Sequence, residues 1–137
     1  MRVKCITTII DNPSTNLLKS GWRNAEKYLT VGKEYEVYAV YTSYYYPGGD
    51  AFLICDDNYN DNNYYWPLYI PTCFFETIDN TRPSFWNISP DNPNYYGPSD
   101  INPQNYEQLV DGDVEAIAAF RRIINFHAKY MTKNQTR

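Results

Sequence analysis

The sequence predicts an α+β protein that is mainly β: a small, bent antiparallel sheet or partly open barrel covered by a C-terminal helix. Three observations carry this. Short runs rich in β-branched and aromatic residues recur roughly every 10–15 residues through the first 90 positions. The chain holds 15 Tyr against 6 Phe and 3 Trp, and Tyr suits half-exposed sheet faces, burying its ring and keeping a hydroxyl for water or a partner. One long stripe of helical period closes the sequence. At 137 residues a single domain is expected over 1–137. It divides into a β-rich body at 1–88, a Pro/Asn-rich loop at 89–105 and a helical region at 106–132.

Val3 to Ile10 reads as the first strand, dense in β-branched residues. Asp11 to Thr15 is a turn. Residues 14–28 fit a short helix or an irregular loop anchored by Leu17, Leu18 and Trp22. The clearest strand follows at Leu29–Tyr41, entered through Gly32. Tyr35, Val37, Ala39 and Tyr41 fall on one face, and Glu34, Glu36, Tyr38 and Val40 on the other. Tyr44 to Asp50, with Pro47, Gly48 and Gly49, is a turn. Ala51–Cys55 is apolar on both sides and reads as a central strand. Asp56–Asn63 is a polar loop. Tyr64–Pro71 is extended, because Pro67 and Pro71 each exclude helix at the residue before. Cys73–Ile78 and Phe85–Ile88 are further strands. A short helix is expected within Pro103–Leu109. A longer one, capped by Asp111 or Asp113, runs to about Met131. Its stripe comprises Ile117, Phe120, Ile124, His127 and Met131, widened by Ile123, Phe126 and Tyr130.

The formal charge of −4 conceals an asymmetry. Residues 45–115 contain twelve acids and one base, a net −11; residues 1–44 carry +2 and residues 116–137 carry +5. An acidic field of this size repels nucleic acid and attracts basic partners. No stretch has the composition of a secretory signal or the length of a membrane span, and three widely spaced cysteines, Cys5, Cys55 and Cys73, fit neither a disulfide framework nor a zinc site. All three lie in apolar strand patterns. A cytoplasmic protein with buried free thiols is the expectation, with no nucleic-acid or membrane partner.

Candidate chemistry is sparse. His127 is the single histidine. It lies on the apolar stripe with no acid at helical spacing to orient it, so a core or boundary position is expected rather than a catalytic base. Asp56, Asp57 and Asp61 are spaced like oxygen ligands but lack the Gly and the closing Glu of a calcium loop. No phosphate-binding glycine motif occurs. No cofactor or metal is therefore implied. Glu34, Glu36 and Glu76 are the best candidates for a carboxylate pair in an unfamiliar enzyme, although alternation of polar faces also explains Glu34 and Glu36.

Five segments carry a resemblance: Val31-Gly-Lys-Glu-Tyr-Glu-Val-Tyr38, Phe52-Leu-Ile-Cys-Asp-Asp57, Trp66-Pro67, Phe74-Phe-Glu-Thr-Ile-Asp79 and Arg82-Pro-Ser-Phe-Trp86. Over residues 30–88 the chain resembles small SH3-like bacterial domains. It is also similar to immunity proteins that accompany polymorphic or contact-dependent toxins. The resemblance implies an SH3-like partly open barrel and an inhibitor that masks a toxin, often a basic nuclease, with no catalytic residues to carry over.

The leading expectation is thus a non-catalytic binding protein of bacterial or phage origin. Its contact residues are expected to be Asp56, Asp57, Asp61, Tyr64, Tyr65 and Trp66, with the acids steering a basic protein partner and the aromatics anchoring it. A structural or adaptor domain of a phage or bacterial assembly is the alternative, and a small carboxylate enzyme the third.

Overall fold

The first strand, β1 (Arg2–Cys5), is basic on one face and apolar on the other, and that pattern decides where it lies. It runs antiparallel between β2 (Glu34–Glu36) and β6 (Phe75–Asp79) in a three-stranded sheet of order β2-β1-β6. Arg2 sits opposite Glu36 and Asp79, and Lys4 opposite Glu34 and Glu76, so each base has an acidic neighbour on both sides. The alternate residues Val3 and Cys5 point inward and are fully buried with Tyr35 and Phe75. The computed structural model describes residues 1–13, 17, 21–43, 49–60 and 63–135, with backbone alone for 130–135.

The second sheet has five strands in the order β5-β4-β3-β8-β7. They are β3 (Ala39–Tyr41), β4 (Ala51–Ile54), β5 (Leu68–Pro71), β7 (Trp86–Ser89) and β8 (Asn92–Pro98). All its pairings are antiparallel. β4 is buried along its whole length, as its unbroken apolar run predicts. The two sheets form an α+β architecture dominated by strands, and neither closes into a barrel.

Three crossings join the sheets, one of them being residues 80–85 between β6 and β7. The continuous strand expected over 29–41 is two strands, β2 and β3, in different sheets. The amide of Val37 donates to Met1 O at 2.9 Å in the first sheet, and the amide of Tyr38 donates to Leu53 O at 2.8 Å in the second. The bend therefore costs no backbone hydrogen bond. It also explains why Tyr38, expected on the polar face, is buried beside its neighbours Val37 and Ala39. The second crossing is the 3-10 turn Thr72–Phe74 between β5 and β6. That turn exposes Cys73, and Cys55, just after β4, is half-buried, so only Cys5 is the buried thiol the sequence suggested for all three.

Two further expectations are corrected. The first strand ends at Cys5, not Ile10, because the Thr7 hydroxyl donates to Ile9 O at 2.8 Å and folds the chain into a local turn. Residues 89–105 are not a loop: they contain β8 and the 3-10 turn Ser99–Ile101. The prolines that argued for a loop flank the pairing with β3, which engages only Tyr95 and Tyr96, so Pro93 and Pro98 need no amide there. Gly97 is required at this crowded point. A Cβ on it would stand 2.6 Å from Ala39 Cβ.

The C-terminal helices are α1 (Tyr106–Val110) and α2 (Val114–Gln135). Asp113 caps α2, its Oδ2 accepting from the amide of Ala116 at 2.9 Å, which fixes one of the two caps the sequence allowed. The inward stripe of α2 buries Phe120, Ile123 and His127 over the second sheet. Phe120 meets Tyr38 edge-on at 5.5 Å between ring centroids. Of the anchors expected near residue 20, Leu17 is buried and Trp22 half-buried, while Leu18 and the turn residues Pro47 and Gly48 lie outside the described residues. No described helix is long and apolar enough to cross a membrane.

Candidate functional site

The loop after β4 carries the acidic residues singled out by the sequence, and the structure separates their roles. The Asp57 carboxylate accepts from the Thr30 hydroxyl at 2.6 Å, from Lys33 Nζ at 2.8 Å and from the Tyr35 hydroxyl at 2.8 Å. Burial alone would push this carboxyl up; the hydrogen bonds from Lys33, Thr30 and Tyr35 outweigh it and hold it below the ordinary carboxylate range. Its geometry is that of a clasp tying the loop to the entry of β2. Asp56 is 4% exposed, so its carboxylate does not present charge to a partner, contrary to its expected place on a docking face. Burial raises it, partly offset by hydrogen bonds from Asn58, whose side-chain amide lies 3.1 Å from Oδ2. Asp61 lies outside the described residues.

The aromatic half of the expected site is held together. Tyr64 stacks on Trp66 with ring centroids 4.5 Å apart and planes 26° from parallel, and Tyr65 meets Trp66 edge-on at 5.3 Å. All three are half-buried. Reciprocal backbone hydrogen bonds between Asn60 and Tyr64, at 2.8 and 2.9 Å, fix the loop that leads into them. Burial, with smaller contributions from Asp56 and Tyr28, raises the Tyr64 phenol, which is uncharged at neutral pH.

This segment lies against the corner between α1 and α2. The Tyr65 hydroxyl sits 2.8 Å from where a Cβ on Gly112 would stand, and Gly112 has φ of +90°. The Tyr106 hydroxyl donates to Pro67 O at 2.6 Å. Tyr59 meets Phe120 edge-on at 6.2 Å. The corner itself is acidic. Between residues 101 and 120 the chain has Glu107, Asp111, Asp113 and Glu115 and no Lys or Arg. Glu107, Asp111, Asp113 and Glu115 are all exposed, as is Val114 at 80%. Sequence reasoning tied the acidic contacts to residues 56–61; the fold brings a different acidic group to the aromatic segment. These acids belong to the net −11 segment 45–115, but nothing in their spacing ties them to residues 64–66.

His127 is oriented by residues from distant elements. Its Nδ1 lies 3.0 Å from Glu36 Oε1, and Trp86 Nε1 lies 3.2 Å from its Nε2. An indole N–H only donates, so Nε2 accepts and the proton sits on Nδ1, which donates to Glu36. The α-amino group of Met1 also lies 3.3 Å from Glu36 Oε1. A carboxylate–imidazole pair is a familiar catalytic unit, but here the second ring nitrogen is occupied by Trp86 and the histidine is 1% exposed. The pair therefore ties β2, β7 and α2 together. The acid that orients His127 comes from β2, which helical spacing had no means to reveal.

Of the three candidate carboxylates for an enzyme, Glu34 pairs with Arg2 Nε at 2.9 Å and Glu36 with His127. Glu76 is exposed opposite Lys4 in the sheet register. Cross-strand charge pairing accounts for the placement of all three. Among the described residues no group of three or more His, Cys, Asp or Glu side chains converges to hold a metal ion. Comparison with protein-family models, with curated proteins and with solved structures finds no match for this chain.

Proposed function

We propose that this protein is a non-catalytic inhibitor that binds a basic protein through the face formed by Tyr64, Tyr65, Trp66 and the α1–α2 corner, in the manner of an immunity protein neutralising a toxin. One observation carries the reading: the stacked aromatic segment rests directly on a corner whose four exposed acids, Glu107, Asp111, Asp113 and Glu115, have no base nearby in sequence. Aromatic rings supply anchoring area at low entropy, and a single-sign rim steers a cationic partner. Asp57 supports the face from behind by fixing its loop.

The test is an affinity capture from the native lysate at low and high salt, using wild-type protein and two variants, Trp66→Ala and Glu107→Lys/Asp111→Lys, the latter sparing the Asp113 cap. Retention of one basic protein that weakens at high salt and is lost by both variants supports the reading. Retention indifferent to both variants overturns it.

A second reading, a structural or adaptor domain, is favoured by the open edge of β6. Glu76, Thr77 and Ile78 are exposed on an edge strand, the kind of edge through which chains assemble. A defined homo-oligomer at micromolar concentration, with no captured partner, supports this reading over the first.

A further inference from the structure

The apolar stripe of α2 is wider than the core it covers. Phe120, Ile123 and His127 are buried, but Phe126, on the same stripe, is 53% exposed. Its ring stands beside that of Phe85, with centroids 6.2 Å apart and planes 58° from parallel. Together with Pro98, Ser99, Asp100 and Ile123 these rings line an open groove of about 430 Å³ between α2 and the 99–101 turn. That volume lies within the range of ligand-binding clefts, about 300–1,000 Å³.

The polar rim is fixed in place from beneath. The Tyr95 hydroxyl lies 2.8 Å from Pro98 O and 3.2 Å from Ile101 O, Asn102 Nδ2 donates to Ser99 O at 3.1 Å, and Asn105 Nδ2 donates to Asp100 O at 2.7 Å. These contacts use only backbone carbonyls of the rim. Among the described residues the Ser99 hydroxyl and the Asp100 carboxylate make no hydrogen bond or ion pair, and both residues are exposed. A groove with two aromatic walls, a buried aliphatic floor and one unpaired carboxylate on a held rim selects a ligand with an apolar body whose adjacent positive charge points to the 99–101 rim, away from the α2 wall where exposed Arg122 stands one turn before Phe126. Little ordering cost attends binding, because the rim is already fixed.

We infer that this groove docks a basic-apolar peptide segment, one side chain of Leu or aromatic type seated between Phe85 and Phe126 and a neighbouring Lys or Arg paired with Asp100. Ile123 lies ten residues beyond Asp113 along α2, roughly 15 Å by the helical rise, so this contact is separate from the acidic corner and does not rest on the docking face proposed above.

The experiment is an NMR titration of the full-length isotope-labelled protein, following the Ile123 methyls and the Phe85 and Phe126 rings. Three capped tetrapeptides are added: Leu-Arg-Leu-Arg, Leu-Glu-Leu-Gln and Gly-Arg-Gly-Arg. The first should give saturable shifts with a Kd of about 0.1–1 mM, and the other two should bind at least about fivefold more weakly. Phe126→Ser, at an exposed position, should weaken the first peptide about tenfold, and Asp100→Asn about fivefold, with unchanged circular dichroism. Glu107→Lys/Asp111→Lys, which spares the Asp113 cap of α2, should leave the titration as it is. No saturable shift at the groove, equal binding of the three peptides, or a loss confined to the Glu107/Asp111 variant overturns the assignment. Should Phe126→Ser disturb the fold, the Asp100→Asn titration and the peptide ranking decide the matter alone.

Discussion

Glu36 and His127 stand 91 positions apart in the chain, and Glu36 Oε1 lies 3.0 Å from His127 Nδ1. With Trp86 on the other ring nitrogen, the histidine has both nitrogens satisfied in the buried neutral form. Replacing it leaves an indole N–H without a partner and a cavity against Tyr38 and Phe85, whose rings lie 4.8 and 5.5 Å from the imidazole. His127→Ala should therefore destabilise by about 2–4 kcal/mol, lowering Tm by roughly 6–15 °C. Trp86→Phe, which leaves the imidazole acceptor bare and removes part of a buried ring system, should cost about 2–4 kcal/mol. Chemical denaturation of both variants and of the double variant checks this; additivity of the two losses would show that the pair is not coupled.

Asp56 and Asp57 are adjacent and should respond oppositely to neutralisation. Asp57 is held low by its three donors, so its contribution is present above the ordinary carboxylate value, about 4, and is lost as pH falls through the lowered value. Asp57→Asn should cost about 1–2 kcal/mol at pH 7, moderated by solvent screening, and the gap to wild type should narrow in acid. Asp56 is raised by burial, so its penalty sets in as pH rises past the ordinary value and is complete above the raised one. Asp56→Asn should be neutral or stabilising at pH 7. Urea melts at pH 7 and pH 4 decide; a larger loss for Asp56→Asn than for Asp57→Asn at pH 7 refutes the assignment.

Gly112 holds φ of +90° under the Tyr65 hydroxyl. Gly112→Ala should destabilise by about 1–2 kcal/mol, through backbone strain and the displaced hydroxyl. Tyr65→Phe/Gly112→Ala should recover the part due to crowding and none of the strain. Thermal melts that show no loss for Gly112→Ala would contradict the observed turn.

The amides of Val37 and Tyr38 belong to different sheets. Both should exchange hydrogen in the slowest class, with opening energies equal to the global value, because neither opens without parting a sheet from the crossing. Exchange at Tyr38 that is markedly faster than at Val37 would mean that the second sheet opens on its own.

The strands were legible where alternation or an unbroken apolar run is strong, at Glu34–Glu36 and Ala51–Ile54. The capped helix was legible from Asp113 and its stripe. What periodicity alone does not carry is a change of sheet within a run of constant alternation, since Val37 and Tyr38 change partners without a Gly or Pro to mark the point. Proline cues misled at 92–98, because a strand engaged at only two residues on one side tolerates prolines beyond them. At the site, Tyr64, Tyr65 and Trp66 were readable as aromatics in an acidic context. Their acidic neighbours come from α1 and α2, across contacts that only tertiary packing creates.

The three tryptophans are spread over three regions: Trp22 beside Tyr28, Trp66 in the aromatic stack and Trp86 against His127. Each indole therefore sits in its own optical environment. With the other two replaced by Phe, Trp66 emission would read events at the acidic corner. Trp86, one ring removed from the Phe85 wall of the groove, would read peptide docking. The molecule carries separate built-in fluorophores for its two candidate surfaces.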